Sequence, residues 1–416
     1  MHRICENIFL CTPDLFMPLR NIVILTSCQL ISATGAIVFV TLGGIIGSEL
    51  TKNPNLATLP ISIAILSMAA SAIPATLLMK SIGRKHGFSI ASISAAAATV
   101  CAAIALHMGS FTVFILAGAM FGINMAFTQQ YRYAAAESVE PKYSPQAISY
   151  VLVGAIGGAL AGPELVKYGQ YAVSSVQYLG TLMAIGLLYG IQSILFLTLG
   201  PLRGEVAEGV VEEPRAVIDI IRQPLFIIAV LGGLAGYGVM TFIMTATPLS
   251  MHIHGEFSLV ETSKVIRAHV LGMYVPSLFT GHLIKRFGIV RIMSAGAIAL
   301  VFACFVGLQG QTYMHYWYAL VLLGVGWNFL YIGSTTMVTL TYTLSERFQA
   351  QAVNEFSVFG TSAAGSLLAG VIIHMQGWYT LILIPLPVLI ITLMGLLWVR
   401  GDPLIAGFQR HSSQGD

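Results

Sequence analysis

In a chain of 416 residues, a hydrophobic fraction of 56% against only 9% charged residues and a net charge of +3 means that most of the polypeptide cannot be solvated; an ordinary soluble domain carries roughly 25% charged residues. A soluble protein with a single core is excluded, and the small net charge points to no nucleic-acid partner. The five cysteines, Cys5, Cys11, Cys28, Cys101 and Cys304, lack metal-ligand spacing and form no even framework, so neither a metal site nor a disulfide scaffold is expected.

Residues 1–20 read as an uncleaved cytoplasmic tail, because Pro13 and Asp14 interrupt the short apolar patch and no small-residue cleavage site follows. Twelve apolar runs then follow, at 21–47, 58–79, 88–107, 110–134, 146–166, 176–199, 225–249, 262–284, 291–309, 313–342, 352–374 and 378–399. Each is close to the length of about 20 residues that a helix needs to cross ~30 Å of hydrocarbon. Runs this long and uniform suit helices rather than the alternating strands of a barrel, so the fold class is an all-α membrane protein with twelve transmembrane helices.

Orientation follows from lysine and arginine. With the N-terminus inside, one face of the membrane receives sixteen of the twenty, and the other receives only Lys52, Lys167, Lys264 and Arg267. The positive-inside rule then places both termini in the cytoplasm, as for a bacterial inner-membrane protein. The one long connection, 200–224, carries Glu205, Glu208, Glu212, Glu213 and Asp219, and its stretch 214–222 reads as a short amphipathic helix on the membrane surface.

An internal repeat divides the chain. Leu77-Leu-Met-Lys80-Ser-Ile-Gly83-Arg84-Lys85 aligns with His282-Leu-Ile-Lys285-Arg286-Phe-Gly288 at an offset of 205, and Lys142-Tyr-Ser-Pro-Gln-Ala-Ile148 aligns with Arg347-Phe-Gln-Ala-Gln-Ala-Val353 at the same offset. The organisation expected is a tail (1–20), a six-helix half (21–199), a central cytoplasmic loop (200–224), a second six-helix half (225–400) and a second cytoplasmic tail (401–416).

These residues carry a family resemblance. Thr76-x-Leu78-x-Lys80-Ser81-x-Gly83-Arg84-Lys85 and Gly281-x-Leu283-x-Lys285-Arg286-x-Gly288 resemble the signature that the major facilitator superfamily carries after its second span and repeats after its eighth. The resemblance implies the major facilitator fold, two pseudo-symmetric halves, and Lys80, Gly83, Arg84, Lys85, Lys285, Arg286 and Gly288 as gating-loop residues. Two departures limit it: Lys80 and Lys285 stand where the family has an acid, and Thr76 stands for its leading glycine. The stretches 237–251 and 269–277 resemble a bacterial permease branch with proposed riboflavin importers and siderophore transporters. Gly158-x-x-x-Gly162-Pro163 is similar to half of the family's antiporter motif, and the other half is missing.

Polar groups at membrane depth are costly and face either a cavity or a neighbouring helix. Candidate solute contacts are Gln29 in span one, Asn124 and Gln129 with Arg132 in span four, and Trp327, Asn328 and Tyr331 in span ten. Each asparagine can instead serve as hydrogen-bonding glue between helices, and Arg132 can snorkel at the interface; the alternative is that Gln129 and Arg132, at i and i+3 on one face, bind an anionic or carbonyl-bearing solute, with Glu137 as an ionic partner one turn on. Tyr237, Met240, Thr241 and Met244 follow i, i+3, i+4, i+7 and share one face of span seven; such a face either packs the bundle or receives a flat aromatic ligand.

For proton coupling the candidates are His269, whose ordinary titration range lies near neutrality, and the acids Glu137 and Glu355. Ser258-Leu-Val-Glu261 forms a capping-box pattern that starts span eight. No P-loop and no catalytic or cofactor-binding constellation occurs, so an enzyme is not expected. The partners expected are a small-molecule solute, the lipid bilayer and protons. The functional reading is a secondary active transporter; the alternatives are a transporter-like solute receptor without flux, or efflux of a siderophore or drug rather than uptake.

Overall fold

The computed structural model describes residues 13–52, 56, 59–169, 171–173, 177–203, 214–251 and 257–413. The expectations for Arg3, Cys5 and Cys11, and for the loop acids Glu205, Glu208, Glu212 and Glu213, lie outside the described residues.

Every regular element among the described residues is helical. A backbone in hydrocarbon must satisfy its polar groups within the segment, and these apolar runs leave the helix as the only local way to do so. The first part of the chain gives α1 (Pro13–Leu50), α2 (Leu59–Ile82), α3 (Arg84–Met108), α4 (Phe111–Thr128), α5 (Tyr131–Glu137), α6 (Ser144–Gly169) and α7 (Leu179–Leu197). The second gives α8 (Val217–Ile221), α9 (Pro224–Leu249), α10 (Leu259–Tyr274), α11 (Ser277–Phe287), α12 (Ile289–Gln309), α13 (Tyr313–Thr339), α14 (Arg347–Leu383), α15 (Pro385–Trp398) and α16 (Pro403–Ser413).

Among the described residues, ten segments are long and apolar enough to cross a membrane. That differs from the expected twelve at two places. Span eight is cut into α10 and α11, each under 18 residues, by Val275 and Pro276. Proline lacks an amide hydrogen and its ring clashes with the carbonyl four residues back, which favours a break there, although Pro74, Pro163 and Pro248 stay inside their helices. The last segment, 347–401, runs the two remaining expected spans together, with only Gly377 leaving helical conformation inside α14, at φ 78°. Span four runs from Phe111 to Glu137 as one segment, within which Gln129 and Gln130, still in right-handed helical conformation, separate α4 from α5.

Contacts divide the chain into two compact units, residues 1–141 with 150–211, and residues 142–149 with 212–416. In the first unit α3 packs against α4 and α7 through an alanine stripe, Ala91, Ala95, Ala98, Ala102 and Ala105, all buried. Small residues at helical spacing let backbones approach where apolar side chains gain nothing by leaving lipid. A buried polar network joins α7 to α1, α3 and α5: Gln192 donates to Ser92 Oγ at 2.9 Å and to the Tyr131 hydroxyl at 3.0 Å, and accepts from Ser32 Oγ at 3.2 Å.

In the second unit α13 is central, packing against α9, α10 and α12 and buried along most of its length. The capping box at Ser258 is formed. Its side chain receives the Glu261 amide at 3.2 Å, while Glu261 Oε2 receives the Ser258 amide at 2.9 Å.

Candidate solute-binding site

Four helices of the second unit bring aromatic rings together. Trp327 and Tyr331, one turn apart on α13, stack with centroids 4.7 Å apart and planes at 19°. Tyr237 from α9 meets both, at 5.8 Å from Trp327 and 5.5 Å from Tyr331, and the edge of Phe359 from α14 at 5.0 Å. Tyr274, the last residue of α10, stands edge-on to Trp327 at 5.6 Å. Trp327, Tyr331 and Phe359 are buried, whereas Tyr237 and Tyr274 are half-buried. Offset and edge-to-face pairs of this kind add about 0.5–1.5 kcal/mol each beyond area burial.

One polar group in the cluster has no partner. Trp327 Nε1 is buried and finds no acceptor among the described residues. Leaving such a donor unsatisfied costs about 1–3 kcal/mol. The neighbouring residue is fully engaged: Asn328 Nδ2 donates to the Met273 carbonyl and to Ser277 Oγ, both at 2.6 Å, and its Oδ1 accepts from Thr280 Oγ1 at 2.7 Å. Pro276 breaks the helix here, and Asn328 takes up the carbonyl that the break leaves over. A helix break, its polar support and an aromatic cluster therefore occupy adjacent residues of one helix.

Of the span-seven face, Tyr237 joins the cluster directly. Thr241 accepts from Ser362 Oγ at 2.7 Å, Met240 is buried, and Met244 is half-buried. Tyr274 and Phe359 were not among the residues singled out from sequence; Tyr274 lies two residues before Pro276, and that proline was the available signal.

The remaining candidates lie elsewhere. Asn124 is buried in the first unit and its amide donates to the Ala91 carbonyl at 2.9 Å, while Gln29 is half-buried on α1 where Gly154 of α6 makes its close approach. Arg132 is only 2% exposed, so it does not snorkel; its Nη1 donates to the Gln129 carbonyl at 2.8 Å and to Gln129 Oε1 at 3.3 Å.

Glu137 forms a two-pronged pair with Arg84, at 2.6 and 2.8 Å, and Gln130 Oε1 accepts from Arg84 Nη1 at 3.2 Å. Arg84 is thus buried rather than a loop surface charge, and it gives Glu137 an ion-pair partner from the loop. Of the other loop residues, Lys80 and Arg286 are exposed, Lys85 is half-buried, and Lys285 Nζ lies 5.6 Å over the ring of Tyr143.

His269 is fully buried, with Nδ1 donating to the Leu320 carbonyl at 2.8 Å. Glu355 is 1% exposed and its Oε1 accepts from Asn354 Nδ2 at 2.9 Å. No cluster of three metal-ligating side chains occurs among the described residues.

The Major Facilitator Superfamily model matches residues 25–339 and 252–414. The chain belongs to the major facilitator superfamily. It is 36% identical over 381 residues to the riboflavin transporter RfnT of Brucella anthropi, covering 91% of this chain and 95% of that protein. It is 27% identical over 397 residues to the uncharacterized transporter YdeG of Bacillus subtilis, with 92% of each chain covered.

Solved structures similar in fold include a variant of the E. coli fucose:proton symporter FucP, with a TM-score of 0.74 at 14% identity, covering 92% of this chain and 99% of that one. The human organic anion transporter MFSD10 follows with 0.73 at 12% identity, covering 92% and 100%. The protein is thus an integral multi-pass membrane protein and a secondary transporter of a small-molecule solute.

Proposed function

We propose that this superfamily member imports a planar heteroaromatic solute of the flavin class in symport with protons, and that the aromatic cluster of its second unit binds the ring system. The observation that carries the reading is a cluster of five rings from four helices, one of them a tryptophan whose N–H is unpartnered. Flat ligands bind in mostly apolar pockets that hold a few oriented polar groups, and stacked and edge-on rings complement such a ligand on both its face and its rim. The similarity to a riboflavin transporter over nearly the whole chain supports the flavin class.

The same reading counts twelve spans in two six-helix halves, with α10 and α11 forming one interrupted span, and places both termini in the cytoplasm of a bacterial inner membrane. The 205-residue repeat and the sidedness of lysine and arginine support it. Tyr237, Met240, Thr241, Met244, Trp327 and Tyr331 are assigned to solute contact. Gln29, Asn124, Gln129 and Arg132 belong to the first unit and form a second, polar set. Asn328 supports the helix break. Lys80, Gly83, Arg84, Lys85, Lys285, Arg286 and Gly288 act in gating.

For proton coupling the geometry favours Glu355. Glu137 is held by a two-pronged arginine, and His269 spends Nδ1 on a backbone carbonyl. Glu355 is a buried carboxyl one helical turn from Phe359, and so adjoins the aromatic cluster on the same face of α14. A proton there changes the charge beside the solute rings.

Riboflavin uptake into proteoliposomes tests the reading. An inward proton gradient should accelerate uptake by the wild type, and Glu355→Gln should abolish that acceleration. Uptake indifferent to the gradient removes the coupling, and absence of flavin flux removes the substrate class.

A further inference from the structure

We infer that the Trp327 indole N–H is the specificity-determining donor of the solute site, reading a carbonyl or ring-nitrogen acceptor on the rim of the bound heterocycle. This rests on the proposed assignment of planar solutes to the aromatic cluster. Three observations lead to it.

The N–H is buried and unpartnered: the tyrosine rings packed against the indole come from α9, α10 and α13, and none of their hydroxyls meets it in hydrogen-bond geometry. A purely structural role at this buried position is served by phenylalanine, which packs as an aromatic ring and has no donor to satisfy. The stacked pair with Tyr331 fixes the plane of the indole, and Asn328, held by three hydrogen bonds, fixes the backbone beside it. The donor is therefore held in one direction before any ligand arrives, the condition under which one hydrogen bond discriminates between ligands. Finally, Tyr274, edge-on to the indole, is half-buried and ends α10 next to the Val275–Pro276 break. A ligand reaches the N–H only if a ring moves, and Tyr274 sits where the helix is interrupted.

The consequence is selection by acceptor as well as by shape. Flavin-type tricycles with ring carbonyls gain a hydrogen bond, whereas a flat cationic dye such as proflavine, whose ring nitrogen is protonated, gains only stacking.

The test is equilibrium binding of lumichrome, riboflavin and proflavine to the purified full-length protein, for wild type, Trp327→Phe and the exposed-site control Trp398→Phe. Trp327→Phe should weaken lumichrome and riboflavin about 3- to 10-fold, the worth of one neutral hydrogen bond, and leave proflavine binding within twofold. Trp398→Phe should change nothing.

A second readout does not depend on the variant folding. The chain has four tryptophans, so replacing the other three in turn assigns the Trp327 indole nitrogen resonance in the wild type, and its proton should move downfield on lumichrome addition. Flavin binding that Trp327→Phe leaves unchanged, or an indole resonance that does not move, overturns the inference while leaving the site intact. A wild type that binds no flavin overturns the substrate class as well.

Discussion

Gly83 and Gly288 stand 205 residues apart and hold one backbone conformation, φ 81° and ψ 158° at the first, φ 90° and ψ 152° at the second. Each is the single residue between two helices, α2 and α3 in one case, α11 and α12 in the other. That region of backbone space is open essentially to glycine alone, so the spacing of the repeated loop motif is a spacing of two identical turns.

Alanine at either glycine should therefore lower stability by about 1–3 kcal/mol, the cost of forcing a side chain into this conformation. At Gly288 a methyl group also meets the Gln409 amide, but that is the movable end of a flexible side chain. Thermal unfolding of purified Gly83→Ala and Gly288→Ala should show losses of similar size. A variant that melts with the wild type would contradict the shared strain.

The buried pair of Arg84 and Glu137 invites a second test. Both side chains are nearly inaccessible, at 1% and 7%. Removing one partner leaves a buried charge, which costs about 3–5 kcal/mol, whereas replacing both with apolar residues is often neutral. Arg84→Ala and Glu137→Ala should each destabilise strongly, and Arg84→Met with Glu137→Leu should recover most of the loss. Chemical unfolding of the four proteins measures this; additive losses in the double variant would count against the pairing.

What could be read from the chain followed distance along it. The capping box at Ser258 and Glu261 is made by residues three apart, and the sequence pattern and the hydrogen bonds coincide. The Trp327–Tyr331 stack is likewise one turn of one helix. Pro276 is a local signal for the break in span eight, but proline alone does not decide it, since Pro74, Pro163 and Pro248 sit inside continuous helices. The turn at Gln129 and Gln130 carries neither proline nor glycine, and no local rule marks it. Arg84 and Glu137 are 53 residues apart, and Tyr274 and Phe359 join Trp327 and Tyr237 from other helices, so these contacts exist only once the helices pack.

The two membrane-depth asparagines separate cleanly in what they hold. Asn328 makes three short hydrogen bonds across the break between α10 and α11, and Asn124 makes one to the Ala91 carbonyl. At about 1 kcal/mol per bond, with a further penalty for the Met273 carbonyl left buried, Asn328→Ala should cost roughly 2–4 kcal/mol and Asn124→Ala about 1 kcal/mol. Denaturant titrations compare the two directly; an equal loss would mean that the break does not depend on Asn328.

Outside the spans, Glu346 receives the Arg215 guanidinium at 2.7 and 2.8 Å, the Arg215 amide at 2.9 Å and the Thr343 amide at 2.9 Å. Those donors, the Arg215 side chain first, hold its carboxyl at about 2, well below the ordinary carboxylate value of 4.5. A carboxylate whose folded value is depressed contributes stability that is fully present above its unfolded value and is lost as pH falls through the folded one. The contribution of Glu346 should accordingly be constant above about pH 5 and decline between about 4.5 and 2. Because Arg215 is 45% exposed, solvent screening reduces the full linkage value to about 2 kcal/mol. Glu346→Gln should melt below the wild type at pH 7, and the gap between the two should narrow as pH is lowered from 5 toward 3. A gap that stays constant over that interval would show that the pair with Arg215 does not set the acid response.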